Sequence, residues 1–477
     1  MPASRETSEE AESLPTSLND LVAASPAARR DFVLALIAVR AAALPVRRDR
    51  TGIVPGQRKS MPPGSRLHRS QHLPQVCTSA PTIDLRGATL GGVNLEAVDL
   101  RNADLAGACL AGSVLRGADL RGACLEGTDL SGADLAGARF DGATLEKANL
   151  SRATCEDASF NRSSLRFACA RRGVFEGASM RAAELWGADL REAVLTYADL
   201  RGAVIRDADF EAADLSRTRF HAASVGPANF DGALLTGADV RGASFSKVSL
   251  RRAVLTDARL TGVNLAGCAL DNACLAGAAL EYTKLDRAQV GGVVGEELAC
   301  DYGQAGRAYL ALEKCFNAEG DHTSASWAYC RRRRMQKLAA RRRGKNALWD
   351  GHWRNAARAY SVWVADVAAE WLCDYGESVP RILASMLAVY LVFALMYAAT
   401  GTMVRIEETA RGPIRVPTSR ITDAAIFSLM AMTTSGSPVV VLQPASEKVH
   451  ILTGTQALLG IGLTGLLGFV LGNRIRR

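Results

Sequence analysis

The chain is poor in the residue types that build an ordinary catalytic domain. Only 6% of its 477 residues are aromatic. Against 43 glycines and a 48% hydrophobic content rich in alanine, that shortage argues against one large mixed core and for a closely packed, repetitive backbone. The eleven cysteines include no C-x-x-C pair, so neither a zinc ribbon nor a disulfide framework is expected, and they read as reduced thiols. The six histidines (68, 72, 221, 322, 352 and 450) are dispersed. Phosphate-loop, nucleophile-elbow and metal-ligand spacings are all missing, so no enzyme and no cofactor is expected.

What the chain does have is a repeat. From Leu85 to Val290 an apolar residue recurs every fifth position, as in Leu85, Leu90, Leu95 and Leu100, through about 42 pentads without an insertion. The weakest centre is Ala170. Two residues before each centre stands a small residue, usually alanine (Ala88, Ala103, Ala118), elsewhere Gly173, Ser163, Thr128, Val93 or Cys268. On extended backbone, positions two apart share a side, so small residue and centre both face inward. The next small residue follows after three positions, an odd step that would flip it outward on a straight strand. The chain must therefore turn a corner every five residues. Four corners close a coil of about twenty residues, and coils stacked at about 4.8 Å make a rod on the order of 50 Å long.

This stretch, with RGADL at 116–120, SGADL at 131–135 and WGADL at 186–190, resembles the pentapeptide-repeat family, A(D/N)LXX. The resemblance implies a right-handed quadrilateral β-helix over 84–292. Some family members mimic DNA, which requires a strongly acidic surface. Residues 84–290 instead hold 24 Lys and Arg against 27 Asp and Glu, a mixed surface that does not fit such mimicry.

The positive excess lies outside the repeat. Residues 1–80 open acidic; Ser25 and Pro26 start a helix whose apolar run, 32–39, is too short to span a bilayer and reads as amphipathic, with a cleaved signal peptide as the other reading. Residues 45–81 have linker composition. A basic helical linker domain is expected over 296–378. Within it, residues 303–345 show two helical patterns joined at Glu319-Gly320-Asp321, an α-helical hairpin. Its second half carries Arg331, Arg332, Arg333, Arg334, Lys337, Arg341, Arg342, Arg343 and Lys345. Nucleic acid, a solvated face and a juxtamembrane stretch all compete for such a run.

The following segment decides. Residues 382–400 and 451–471 are uncharged and long enough to cross the hydrocarbon core, and cations flank the outer ends of the pair. The positive-inside rule then places both termini in the cytoplasm and the basic stretch against anionic headgroups, with no nucleic acid expected. Between the spans, residues 422–440 are too apolar for an ordinary loop and too short to cross; Thr422 or Asp423 caps a helix through Met432, followed by Thr433-Thr434-Ser435-Gly436-Ser437-Pro438. That is a re-entrant pattern.

Over 379–477 the order span, pore helix, TT-x-G, span resembles the two-helix pore domain of the potassium-channel superfamily, as fused to pentapeptide repeats in a family of bacterial channels. Pro444, Lys448, Gln456 and Gly-Glu-Ser at 376–378 fall where that family has its outer proline, basic residue, helix-start polar residue and pre-span motif. The resemblance implies a homotetrameric channel of the bacterial inner membrane passing monovalent ions, with Thr433 to Pro438 as filter. A potassium filter reads TVGYG; here Pro438 fixes φ, and no carboxylate lies between Ala424 and Ser446, so selectivity is left open. In the second span Gln456, Gly460, Thr464, Gly468 and Gly472 recur at four-residue spacing, which fits either close helix packing or a pore lining with Gly462 or Gly465 as hinge. The alternative function is a membrane-anchored scaffold that conducts nothing, its rod holding a protein partner.

Overall fold

The computed structural model describes Asp31 and residues 83–400, 403–409, 412–433, 441–444 and 447–475. The N-terminal helix read from residues 25–39 lies outside them, apart from Asp31. The chain divides into two compact units, Met1–Ala299 and Cys300–Arg477.

In the first unit the period of five becomes a coil of twenty. Parallel bridges join Asp84 to Asp104, Thr89 to Cys109, Asn94 to Val114 and Asp99 to Asp119, and the same advance continues to Asn264 with Lys284. Centres and small residues are buried almost without exception, Leu90, Val93, Leu95 and Ala103 completely. Even the weak centre Ala170 is buried. Where hydroxyls replace alanine inside the wall, each finds a carbonyl: Thr128 donates to Leu105 O at 2.8 Å and Ser163 to Phe160 O at 2.7 Å. Aromatic centres stack at the coil spacing itself, Phe140 on Phe160 with ring centroids 4.8 Å apart and Phe210 on Phe230 at 4.7 Å.

Each corner is a turn in which the centre's carbonyl accepts from the N–H three residues on, as from Ala88 to Leu85 at 3.1 Å, while the centre's own N–H donates to the next coil, Leu85 to Asp104 O at 2.7 Å. The second turn residue has φ near +60°, the left-handed value a type II turn demands, and glycine often takes it, as at Gly87 and Gly92. One corner column departs. At Pro227 the ring holds φ negative, and there two-residue strands β1 (Val204–Ile205), β2 (Ser224–Val225) and β3 (Ser244–Phe245) pair in parallel. Gly226 N–H donates across coils to Ile205 O at 2.7 Å in place of the turn bond.

The last coil is closed by side chains. Gln289 Nε2 donates to the carbonyls of Leu265 and Cys268, both at 2.6 Å. The buried Glu296, on the short helix α1 (Gly295–Leu298), accepts from Ala276 N–H at 2.6 Å. These groups stand in for the coil that does not follow. The first compact unit thus carries this closing segment after the repeats, to Ala299.

The second unit begins with the hairpin. α2 (Tyr302–Glu319) ends on Gly320 at φ +78°, and Asp321 caps α3 (His322–Trp349) by accepting from Thr323 and Ser324 N–H, both at 3.1 Å. A third helix that the sequence patterns did not mark, α4 (Trp353–Cys373), packs on α3. Next comes α5 (Val379–Thr400), then strands β4 (Met403–Thr409) and β5 (Gly412–Thr418), α6 (Ile421–Thr433), β6 (Val441–Pro444) and α7 (Glu447–Ile475). The strands form an antiparallel sheet in the order β5-β4-β6, also unforeseen, with Met403 opposite both Thr418 and Pro444.

Candidate functional site

The short apolar helix packs against both span-length helices. α5 and Ile451–Gly472 of α7 each offer 22 residues long and apolar enough to cross a membrane. α6 has 13 residues, about 20 Å at the helical rise, and is too short to cross. Tyr397, Ala424 and Phe427 form its buried cluster with α5, the Tyr397 and Phe427 rings meeting edge to face at 5.0 Å.

A polar relay crosses this apolar cluster. The Tyr397 hydroxyl donates to Gln456 Oε1 at 3.0 Å. Gln456 Nε2 donates to the Ser428 carbonyl at 3.0 Å and hydroxyl at 2.6 Å, and that hydroxyl donates to Tyr390 O at 2.9 Å. Gln456 and Ser428 are fully buried. Four polar side-chain functions thus satisfy one another where water does not reach, which fixes the position of α6 between its neighbours.

Two expected pore-lining residues are placed otherwise. Gln456 turns into the relay, because burying an amide among apolar helices requires partners for both of its ends. Gly460 is a close-approach residue: a Cβ there would collide with the Met432 backbone carbonyl of α6. Gly462, Thr464, Gly465 and Gly468 are exposed on the chain, and a Cβ at any of the three glycines would meet nothing within 4 Å. The Thr464 hydroxyl donates back to Gly460 O at 2.7 Å. Thr433 is exposed at the end of α6, its hydroxyl bonded to Leu429 O at 2.9 Å. Thr434, Ser435, Gly436, Ser437 and Pro438 lie outside the described residues. α6 itself starts at Ile421, and Asp423, expected at a cap, sits in its first turn and accepts from the Thr418 hydroxyl at 2.7 Å.

The basic run corrects the expectation of a lipid-facing stretch at four positions. Arg332 pairs with Glu313 of α2 at 2.8 Å and Arg333 with Asp366 of α4 at 2.6 Å. Arg334 reaches Glu370 at 3.1 Å and Asp374 at 3.3 Å, and Lys337 also pairs with Glu370. These cations cross-link three helices because each faces a carboxylate on a neighbour; a buried charge is tolerated only when so paired. Arg333 also lies over the ring of Tyr375, whose phenol is pushed up by burial first and then by Glu370 and Asp366. Arg341, Arg342 and Arg343 remain exposed, Arg342 donating to Cys300 O at 2.8 Å. The pre-span motif also takes part: Glu377 accepts from the Ser326 hydroxyl of α3 at 2.9 Å, tying the hairpin to the start of α5.

Coils of this kind define a class, the quadrilateral β-helix. Residues 83–289 match the model of the family described as pentapeptide repeats, in overlapping stretches from 83–117 to 253–289, and the repeat unit is a pentapeptide-repeat domain. The chain is similar to the solved structure of HetL, a pentapeptide repeat protein involved in heterocyst differentiation regulation from the cyanobacterium Nostoc sp. strain PCC 7120. The identity is 29%, over 42% of this chain and 87% of HetL, with a TM-score of 0.29. It is similar to QnrB1, a plasmid-mediated fluoroquinolone resistance protein, at 27% identity over 41% of this chain and 95% of that one, TM-score 0.26. Rfr23 from the cyanobacterium Cyanothece 51142 gives 28% over 23% and 64%, TM-score 0.12. No curated protein matches the chain.

Proposed function

We propose that the protein is an oligomeric membrane channel of the two-span, pore-loop type, carrying a cytosolic pentapeptide-repeat rod. The observation that carries this reading is the clamping of α6, an apolar helix too short to cross, between two span-length helices through the Tyr397–Gln456–Ser428 relay. A helix held at that depth has a use where its C-terminal end borders water, and its dipole there favours cations. Two spans from one chain cannot enclose a pore, so protomers assemble around an axis, as a homotetramer on the potassium-channel resemblance. The exposed face of α7 at Gly462, Gly465 and Gly468 is available to line that axis. Both termini lie in the cytoplasm of a bacterial inner membrane, monovalent ions permeate, and Arg341 to Arg343 are the cations left to meet anionic headgroups.

The second reading, a non-conducting membrane-anchored scaffold, is favoured by the repeat unit, a long regular surface suited to a protein partner. Purified protein in planar bilayers under potassium, sodium and chloride gradients separates the two. The channel reading expects discrete currents that shrink in Thr433→Lys, which sets a cation at the end of α6. Silence from wild type that is tetrameric by native mass spectrometry sinks it in favour of the scaffold.

A further inference from the structure

One corner column of the rod changes character from coil to coil. It reads Ser131-Gly132, then Ser151-Arg152, then Arg171-Arg172, one above another at the strand spacing of about 4.8 Å. These six residues line a cavity of about 580 Å³. Ser131, Gly132 and Ser151 leave it room; a Cβ at Gly132 would meet nothing within 4 Å. The lining holds three guanidiniums and no carboxylate.

The arginines are unequally engaged. Arg172 pairs with Glu192 at 2.8 Å. Arg171 is 3.8 Å from Asp189, a carboxylate that Arg191 holds at 2.6 Å. Arg152 has no carboxylate within ion-pair distance among the described residues. The Ser131 hydroxyl has no hydrogen-bond partner among the described residues, and that of Ser151 lies 3.2 Å from Cys169 Sγ. Asp129, the acid next to the groove, accepts from the Ser131 N–H at 3.0 Å and from Asn149 Nδ2 at 2.9 Å.

We propose that this groove binds a phosphorylated small molecule, its phosphate held by Arg152 and Arg171 with the Ser131 and Ser151 hydroxyls as further donors. Guanidinium forks match the planar pairs of oxygens on a phosphate, and hydroxyls supply the shorter bonds. The groove is open to solvent and wider than a bare phosphate, which leaves room for a phosphate borne on a larger body. A long polyanion does not suit the place, because the same column continues into Glu192, Glu211 and Asp231. The groove belongs to the repeat unit and does not rest on the channel reading, so a silent bilayer leaves the proposal untouched.

The test is titration calorimetry on the purified full chain with sodium pyrophosphate, and in a second arm with soluble dihexanoyl phosphatidic acid. Arg152→Gly/Arg171→Ser gives each of the two corners the residues of the coil one below, Ser-Gly at 151–152 and Ser-Arg at 171–172, and glycine suits the φ of +58° at 152, so the rod keeps its fold. Wild type is expected to bind saturably, at least tenfold more tightly than the double variant, with Arg162→Ser on another corner unchanged. Tighter binding of pyrophosphate assigns a soluble ligand; tighter binding of the lipid assigns a headgroup. No binding in either arm, or equal affinity in wild type and double variant, overturns the proposal.

Discussion

The two units use the same pair of residue types in opposite ways. On the rod, Arg101 meets Asp99 at 2.6 Å with both side chains half exposed, 53% and 50%. In the helical unit Arg333 meets Asp366 at the same 2.6 Å, but the side chains are 33% and 7% exposed. The rod pair is two residues apart and repeats as Asp119–Arg121, Asp189–Arg191 and Asp239–Arg241, where the carboxylate also accepts from a nearby backbone N–H. It decorates a corner that the backbone already dictates. The helical pair is 33 residues apart and holds two helices together. Where a fold is built from identical local steps, ion pairs are ornament; where it is built from unlike helices, they specify which faces meet.

The largest effect that sharpens this contrast lies on the rod's axis. Phe160→Ala removes a ring stacked on Phe140 and in edge contact with Phe175 at 5.9 Å, and is expected to cost about 3–5 kcal/mol because the rigid coils cannot collapse into the hole. The readout is the shift in the repeat unit's melting by circular dichroism. Next comes the ion pair itself. Asp366→Ala should cost about 2–3 kcal/mol, the lower side of the buried range because Arg333 keeps part of its surface wet. Arg333→Met/Asp366→Leu should recover most of it, whereas Arg101→Ala should leave the melting curve where it was. Equal losses from Asp366→Ala and Arg101→Ala would erase the distinction.

A third, smaller effect concerns the apolar helices. Gln456→Leu takes away the acceptor of the Tyr397 hydroxyl and the donor that the Ser428 carbonyl and hydroxyl accept from, and should lower stability in detergent by about 1–2 kcal/mol, as should Gly460→Ala by pressing on the Met432 carbonyl. Full stability in both variants would mean that α6 is not clamped by this contact.

The contrast also decides what could be read from the chain. The rod was legible nearly residue by residue, since inward positions, corners and coil length all follow from a period of five that local geometry enforces. The exception was its end, where Gln289 and Glu296 act through carbonyls and N–H groups that no pattern marks. The α2–α3 boundary was legible for the same local reason: Glu319-Gly320-Asp321 contains its own stop and cap. Helix α4 was not, because its buried face carries Asp366 while Val364, Val367 and Trp371 point outward, so hydrophobic periodicity misreports the inside. The basic run misled in a related way. A cluster of cations looks like surface until its carboxylates are placed, and Asp366 and Glu370, on an element that the pattern hid, and Asp374, just past its end, sit 33 to 40 residues away. Gln456 and Gly460 failed as pore-lining residues because four-residue spacing names a helix face without naming what it faces.

The smallest effect asks whether acid treats the units alike, since each contains a carboxyl held down to about 2. Asp321 is lowered by the hydrogen bonds it accepts from Ser324 and Thr323. For Asp199, burial pushes upward, and the hydrogen bonds from Arg201 and Arg181 overcome it. A carboxyl whose folded pKa is depressed contributes stability that is complete above its unfolded value, about 4, and is lost as pH falls toward 2. Both units should therefore soften between about pH 4 and 2. Asp321→Ala should cost the helical unit about 1 kcal/mol at pH 7, the usual worth of an N-cap, while Asp321→Asn keeps the cap and removes its share of the acid loss. If Asp321→Asn melts with the same pH profile as wild type while the repeat unit's signal is unchanged, the cap's charge contributes nothing to the acid loss.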